Sequence, residues 1–270
     1  MMDLSKKSME QFFTALCERI FALPEIDCIT VRDVVIRRND LNKTVKDAVE
    51  VSYHDAYSDI DMSVKVLLPK AGSVTEDAYI QRIARFGVTR ESALGWYYVP
   101  ENKVYRIIFK DGMRYDFGFS FEYVDIFELQ FEELKENTSE NNSWPMANIN
   151  RFWFVQIQAL GKLYRKDYLI GAHLANMNIN ETLVMQMVLR DLKYGTNHHR
   201  YGYSEKLEYS KDLGKMPYKK KESTFLGIAD HIFAAALTYD RLARVFYPEY
   251  EARSEVFFAI WDCYEMCSNQ

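Results

Sequence analysis

The sequence predicts an α+β protein, with a mixed α/β segment over residues 1–137 and an all-helical segment over 138–270. Three observations carry that expectation. An acidic group, His54-Asp55-Ala56-Tyr57-Ser58-Asp59-Ile60-Asp61, runs straight into the strand pattern Met62 to Leu68. Two alternating segments flank Lys110-Asp111-Gly112, and Asp-Gly between alternating strands marks a tight hairpin. Beyond the polar stretch Lys135 to Pro145 the alternation fades and helical spacing takes over.

Taken in order, Met9, Phe12, Phe13, Leu16, Ile20 and Leu23 fall at helical spacings from Ser5 until Pro24 stops them. From Asp27 to Tyr53, apolar residues alternate with polar ones, as at Ile29 and Val31 and again at Val49, Val51 and Tyr53, which predicts strands with one wet face. Ser73 with Glu76 forms a capping box ahead of Tyr79, Ile80, Ile83 and Phe86, so a helix should follow the acidic strand and end at Gly87. In the hairpin, Met113, Tyr115, Phe117 and Phe119 share one strand face; Arg114, Asp116 and Gly118 share the other. Further on, Asn148 to Tyr164, Asn180 to Tyr194 with an Asn180 cap, Thr224 to Tyr247 and about Ala252 to Cys267 carry helical periodicity.

A hydrophobic content of 48% and an aromatic content of 15% describe a globular core, not a disordered chain. The net charge of −5, from 34 basic against 39 acidic residues, argues against general attraction to nucleic acid and favours small-molecule partners. Four cysteines, Cys17, Cys28, Cys263 and Cys267, lack zinc-finger spacing and read as reduced thiols. No run approaches the ~18 apolar residues needed to span a bilayer, and Met1 to Glu10 has no apolar signal core. A cytoplasmic protein without a membrane partner is expected.

If the strand begins near Asp61, then Asp59 and Asp61 point to one side of it and Ile60 points into the core. Paired carboxylates repel, so such a pair persists where a cation lies between them or where water solvates both. Phosphoryl and nucleotidyl transfer use carboxylates on neighbouring strands to hold divalent ions that bridge a triphosphate. Asp59, Asp61 and Asp116 fit that arithmetic. On spacing alone, carboxylates decorating a strand end and a hairpin are the commoner explanation, and Asp-x-Asp also occurs in glycosyltransferases and phosphatases.

The order Tyr57-Ser58-Asp59-Ile60-Asp61-Met62-Ser63-Val64, a helix, Arg114-Tyr115-Asp116-Phe117 and then a helical domain resembles the nucleotidyltransferase superfamily, with its Asp-x-Asp and later single Asp. The layout is most similar to the streptomycin 6-adenylyltransferase and lincosamide types of antibiotic nucleotidyltransferase. Gln158 to Asp167 resembles the basic helix end of that group, and Leu189 to Tyr209 loosely resembles the helix and basic loop that follow. The resemblance implies a nucleotidyltransferase-fold mixed sheet and transfer of AMP, or another nucleoside monophosphate, from magnesium-bound ATP or a related triphosphate to a hydroxyl of a small polar acceptor. It implies metal-binding and catalytic roles for Asp59, Asp61 and Asp116, and phosphate contacts from Ser58, Lys162 and Arg165. Lys162 and Arg165 read equally well as the basic last turn of an exposed helix.

One departure bears on the reaction. The family places a Gly-Ser pair about a dozen residues ahead of its first Asp, where backbone and hydroxyl approach phosphate closely. Here the first glycine of the chain is Gly72, and the corresponding stretch, Asn42 to Ser52, offers Lys43, Thr44 and Lys46 instead. Two outcomes follow: an enzyme that grips phosphate through side chains, or a noncatalytic binding or regulatory protein that keeps the fold. His198-His199-Arg200, Lys219-Lys220-Lys221 and the aromatic group Trp96-Tyr97-Tyr98 are secondary candidates, for which solvated or packing roles are the default.

Overall fold

A computed structural model describes residues 3–70, 75–76, 79–80, 93–125, 143–195 and 224–268. The chain divides into two compact units, Met1–Asn137 and Thr138–Gln270. The first is a mixed α/β unit around a six-stranded sheet, the second a helical one.

Helix α1 (Lys6–Phe21) opens on Ser5, whose hydroxyl accepts the Ser8 N–H at 3.2 Å, and buries Met9, Phe13, Leu16, Cys17 and Ile20. Strands β1 (Ile26–Val31) and β2 (Val34–Ile36) pair antiparallel through a tight turn, in which Arg32 takes φ 52°. The predicted strand around Val49, Val51 and Tyr53 is instead helix α2 (Leu41–Ser52). Its buried residues, Val45, Ala48, Val49 and Ser52, recur at helical spacing. The short alternation at Val49, Val51 and Tyr53 is thus also compatible with a 3.6-residue stripe, and packing chose the stripe. The stretch matched to the family's Gly-Ser turn therefore lies inside a helix.

Strand β3 (Ile60–Pro69) alternates as the sequence requires, with Ile60, Met62, Val64, Val66 and Leu68 buried and Asp61 and Ser63 exposed. Strand β4 (Ala93–Val99) contains Trp96, Tyr97 and Tyr98, all partly buried. Strands β5 (Val104–Phe109) and β6 (Arg114–Val124) form the predicted hairpin, and Gly112 supplies its left-handed residue at φ 87°. The sheet order is β2-β1-β3-β6-β5-β4, with one parallel pair, β3 and β6, at its centre. Of the helix predicted over 73–87, only Thr75, Glu76, Tyr79 and Ile80 are among the described residues.

The ring of Tyr115, fully buried on β6, packs 5.9 Å from Phe12 and 5.8 Å from Phe13 of α1, which seats the helix on one sheet face. Its hydroxyl has no hydrogen-bond partner, a desolvation cost without return. Tyr115→Phe is therefore expected to leave stability unchanged or raise it by about 1 kcal/mol, measured as the urea midpoint.

The second unit contains α3 (Met146–Tyr164), α4 (Tyr168–Tyr194), α5 (Phe225–Phe246) and α6 (Ser254–Ser268). The rings of Phe152 and Tyr239 stack at 3.6 Å in its core. The expected cap at Asn180 falls within α4, which starts thirteen residues earlier in sequence at Asp167, whose Oδ1 accepts the Ile170 N–H at 3.3 Å. The sequence hid that longer helix because its inner face is polar: Asn178, Thr182, Gln186 and Arg190 are buried at four-residue spacing. Asn178 satisfies part of this stripe by donating to Gln156 Oε1 at 2.8 Å, and Gln156 donates to the Ile232 carbonyl at 2.9 Å. His198, His199, Arg200 and Lys219 to Lys221 lie outside the described residues, as do 135–142 of the polar stretch. The four cysteines are free thiols.

Candidate functional site

The parallel pairing of β3 with β6 assembles the acidic group. Parallel neighbours start from the same sheet edge, and the register sets Asp61 opposite Asp116 and Ile60 opposite Tyr115. In the antiparallel β5–β6 pair, Arg106 stands opposite Asp116. Directly paired residues share a face, so Arg106, Asp116 and Asp61 line up across three strands. Asp59, just ahead of β3, joins them. The small residues Ser63 and Gly118, paired with each other one alternation further along, leave that face low beside the carboxylates.

Two arginines that sequence reasoning did not single out neutralise part of this charge. Arg114, buried on β6, donates to Asp59 Oδ2 at 2.8 Å and to the Tyr57 carbonyl at 3.0 Å. Arg106 Nε lies 3.1 Å from Asp116 Oδ2. The hairpin offered a signal for Arg106, because an Asp-Gly turn sets the register that places it across from Asp116. A third arginine, Arg32, contributes electrostatically at Asp61 and donates to His54 Nε2 at 3.1 Å.

Burial pushes the Asp116 carboxyl up to about 6; Arg106 opposes the shift, and Asp59 and Asp61 reinforce it. Asp61, although exposed, is also raised, first by partial desolvation and then by the charge of Asp59, against Arg106, Arg114 and Arg32. Asp116 holds its proton more tightly folded than unfolded, so its ionisation costs nothing at low pH and destabilises the fold as pH rises from about 4 through about 6. Asp116→Asn is expected to remove up to ~3 kcal/mol of that decline, read by urea unfolding at pH 4 and pH 7 without divalent ions.

Ser58 is buried, and its hydroxyl serves the loop that delivers the acidic pair. Its Oγ accepts the His54 N–H at 2.9 Å and the Asp55 N–H at 3.0 Å, and donates to Asp55 Oδ1 at 3.2 Å. Asp55 Oδ1 also accepts the Tyr57 N–H at 2.9 Å. Ser58 thus shapes the turn before Asp59, and its oxygen is already engaged. Lys162, in the last turn of α3, and Arg165, the residue that caps its end, belong to the second unit, and Lys162 Nζ lies 3.4 Å from Asp167 Oδ2.

Among the described residues, which include Asp59, Asp61 and Asp116, no group of three or more His, Cys, Asp or Glu could hold a metal ion. A magnesium ion does not require one, since it commonly keeps waters and takes one or two carboxylates plus substrate phosphate. Asp61 and Asp116 provide such a pair, and Asp116 Oδ1 is buried with no hydrogen-bond partner. The donor chemistry fits magnesium on that basis.

No protein family and no curated protein matches the sequence. Among solved structures, the chain is similar to an aminoglycoside 6-adenyltransferase from Bacillus subtilis at 12% sequence identity, over 97% of this chain and 98% of that one, with a TM-score of 0.38. No helix among the described residues is long and apolar enough to cross a membrane.

Proposed function

We propose that this chain is a metal-dependent nucleotidyltransferase, moving an adenylyl group from ATP, or the corresponding group from another triphosphate, to a hydroxyl of a small polar acceptor of aminoglycoside or lincosamide type. The observation that carries the reading is the register of Asp61 opposite Asp116 on adjacent parallel strands, with one Asp116 oxygen buried and unpartnered. In this reading Asp61 and Asp116 hold magnesium. Asp59 Oδ2 is engaged by Arg114, and its other oxygen completes the acidic group. The bound ion would neutralise charge on the triphosphate and on the attacking oxygen.

The remaining roles belong to the chain itself. Asp116 gives up its proton to take the ion, and the acceptor hydroxyl loses its proton to solvent as its oxygen attacks the α-phosphorus and displaces pyrophosphate. Arg114 fixes Asp59 and ties it to the backbone at Tyr57. Lys162 and Arg165 are proposed as phosphate contacts, and Ser58 as the residue that sets the loop before Asp59. Pyrophosphate release with ATP, magnesium and a panel of aminoglycosides, lincosamides and other polyols tests the reading. Release that depends on one acceptor class is the expected result; no release with any of them, and no calorimetric binding of ATP with magnesium, overturns it.

A second reading has its own support. The Arg114–Asp59 and Arg106–Asp116 contacts supply counter-charge without a metal, and no glycine precedes Gly72. A noncatalytic binding or regulatory protein on the same fold would look this way. Binding of a triphosphate or a polyol without pyrophosphate release, unaltered by Asp59→Asn, selects it.

A further inference from the structure

Two arginines face the carboxylates, and they are held differently. Arg114 is 6% exposed at its side chain and anchored on both sides, by the Asp59 carboxylate and the Tyr57 carbonyl. Arg106 is 34% exposed, and its 3.1 Å approach to Asp116 leaves Nε without a hydrogen bond. The pair therefore lacks the parallel N–H···O bonds that make guanidinium–carboxylate contacts strong. Its Nη1 donates instead to the Tyr97 hydroxyl at 3.1 Å, and the guanidinium carbon lies 5.8 Å from the Tyr97 ring centroid. Arg106 is thus propped from behind by β4 and touches Asp116 loosely, while Asp116 Oδ1 keeps its capacity for another cation.

We propose that Arg106 is an exchangeable cation: in the free protein it neutralises Asp116, and when a metal–polyphosphate complex enters it yields that carboxylate to the ion and takes a phosphate oxygen. The proposal rests on the nucleotidyl-transfer reading of this face and gives Arg106 the grip that the chain lacks upstream of Asp59. Charge supports the exchange. The carboxylates Asp59, Asp61 and Asp116 are balanced by the guanidiniums of Arg32, Arg106 and Arg114, so a divalent ion added to this neutral group leaves an excess positive charge that a polyphosphate meets. A guanidinium released from a carboxylate is well suited to phosphate because both anions present oxygens to the same fork of donors.

Calorimetry on the full chain separates this role from a structural one, first with Mn2+ alone and then with Mn2+ and inorganic tripolyphosphate. Arg106→Gln is expected to bind Mn2+ about tenfold more tightly, because the competing cation is gone, and Mn2+–tripolyphosphate about tenfold more weakly. Arg106→Lys restores most of both values. Tyr97→Phe removes the hydroxyl that props Arg106 and is expected to raise Mn2+ affinity about threefold, which keeps the test in hand if Arg106→Gln does not fold. Parallel weakening of both ligands in Arg106→Gln, or no change in either, overturns the exchange while leaving the nucleotidyltransferase reading in place. Failure of the wild-type chain and every variant to bind Mn2+ overturns the metal site, and the exchange with it.

Discussion

Asp61→Asn is expected to reduce acceptor-dependent pyrophosphate release by about a thousandfold or more, equivalent to ~4 kcal/mol of lost transition-state stabilisation. The substitution is nearly isosteric and sits at an exposed position of β3, so the sheet register that pairs it with Asp116 is retained. What disappears is a charge that a metal ion requires. An amide oxygen carries no formal charge to hold a hard divalent cation against its hydration shell. Removing the charge also relieves repulsion with Asp59, so the melting temperature should hold or rise slightly even as the reaction is lost. That opposition between activity and stability marks a residue kept for chemistry. If the Asp61→Asn variant retained a tenth of the initial rate, with its melting curve intact, Asp61 would not be the residue that holds the metal.

Asp240→Ala is expected to destabilise the second unit by roughly 3–5 kcal/mol, the largest single loss of stability foreseen here. Asp240 is buried on α5 and accepts the Tyr250 hydroxyl at 2.9 Å, the Arg253 N–H at 3.0 Å and the Ser254 hydroxyl at 2.8 Å. It ties the start of α6 to α5. The network extends outward, since Trp153 Nε1 donates to the Tyr250 hydroxyl at 2.8 Å and Arg253 Nη1 donates to Asn150 Oδ1 at 2.8 Å. Truncation leaves the buried Tyr250 hydroxyl and the half-buried Arg253 N–H and Ser254 hydroxyl without their acceptor, and Arg253 without its nearby opposite charge. Asp240→Asn, which keeps one acceptor oxygen, should cost about half as much. Urea unfolding followed by tryptophan fluorescence reads both, and a loss below about 1 kcal/mol for the alanine variant would show that water satisfies the network.

Much of the fold was legible in local patterns. The Asp-Gly hairpin, the alternating strand after Asp61 and the C-terminal helical stripes appear where apolar period and turn chemistry agree. Legibility failed where two periods coincide or where a helix buries polar groups. Val49, Val51 and Tyr53 satisfied a strand pattern over a span too short to exclude a helix. In α4, the buried Asn178, Thr182, Gln186 and Arg190 broke the apolar stripe, and a cap was read into the middle of a continuous helix. The arginines escaped notice for another reason. Arg106 belongs to no motif, and Arg114, although it stands in the stretch Arg114-Tyr115-Asp116-Phe117, owes its importance to what lies across the sheet.

The sequence by itself determined the alternation that turns Asp61 and Asp116 away from the apolar core, and the turn that pairs β5 with β6, because both follow from the two-residue period of a strand and the φ demanded at Gly112. Only the tertiary structure decided that β3 lies parallel to β6, which makes two distant aspartates neighbours. It also decided that guanidiniums, and not water alone, offset their repulsion. Pairing between strands far apart in the chain is set by how the whole sheet packs, and no local spacing contains that information.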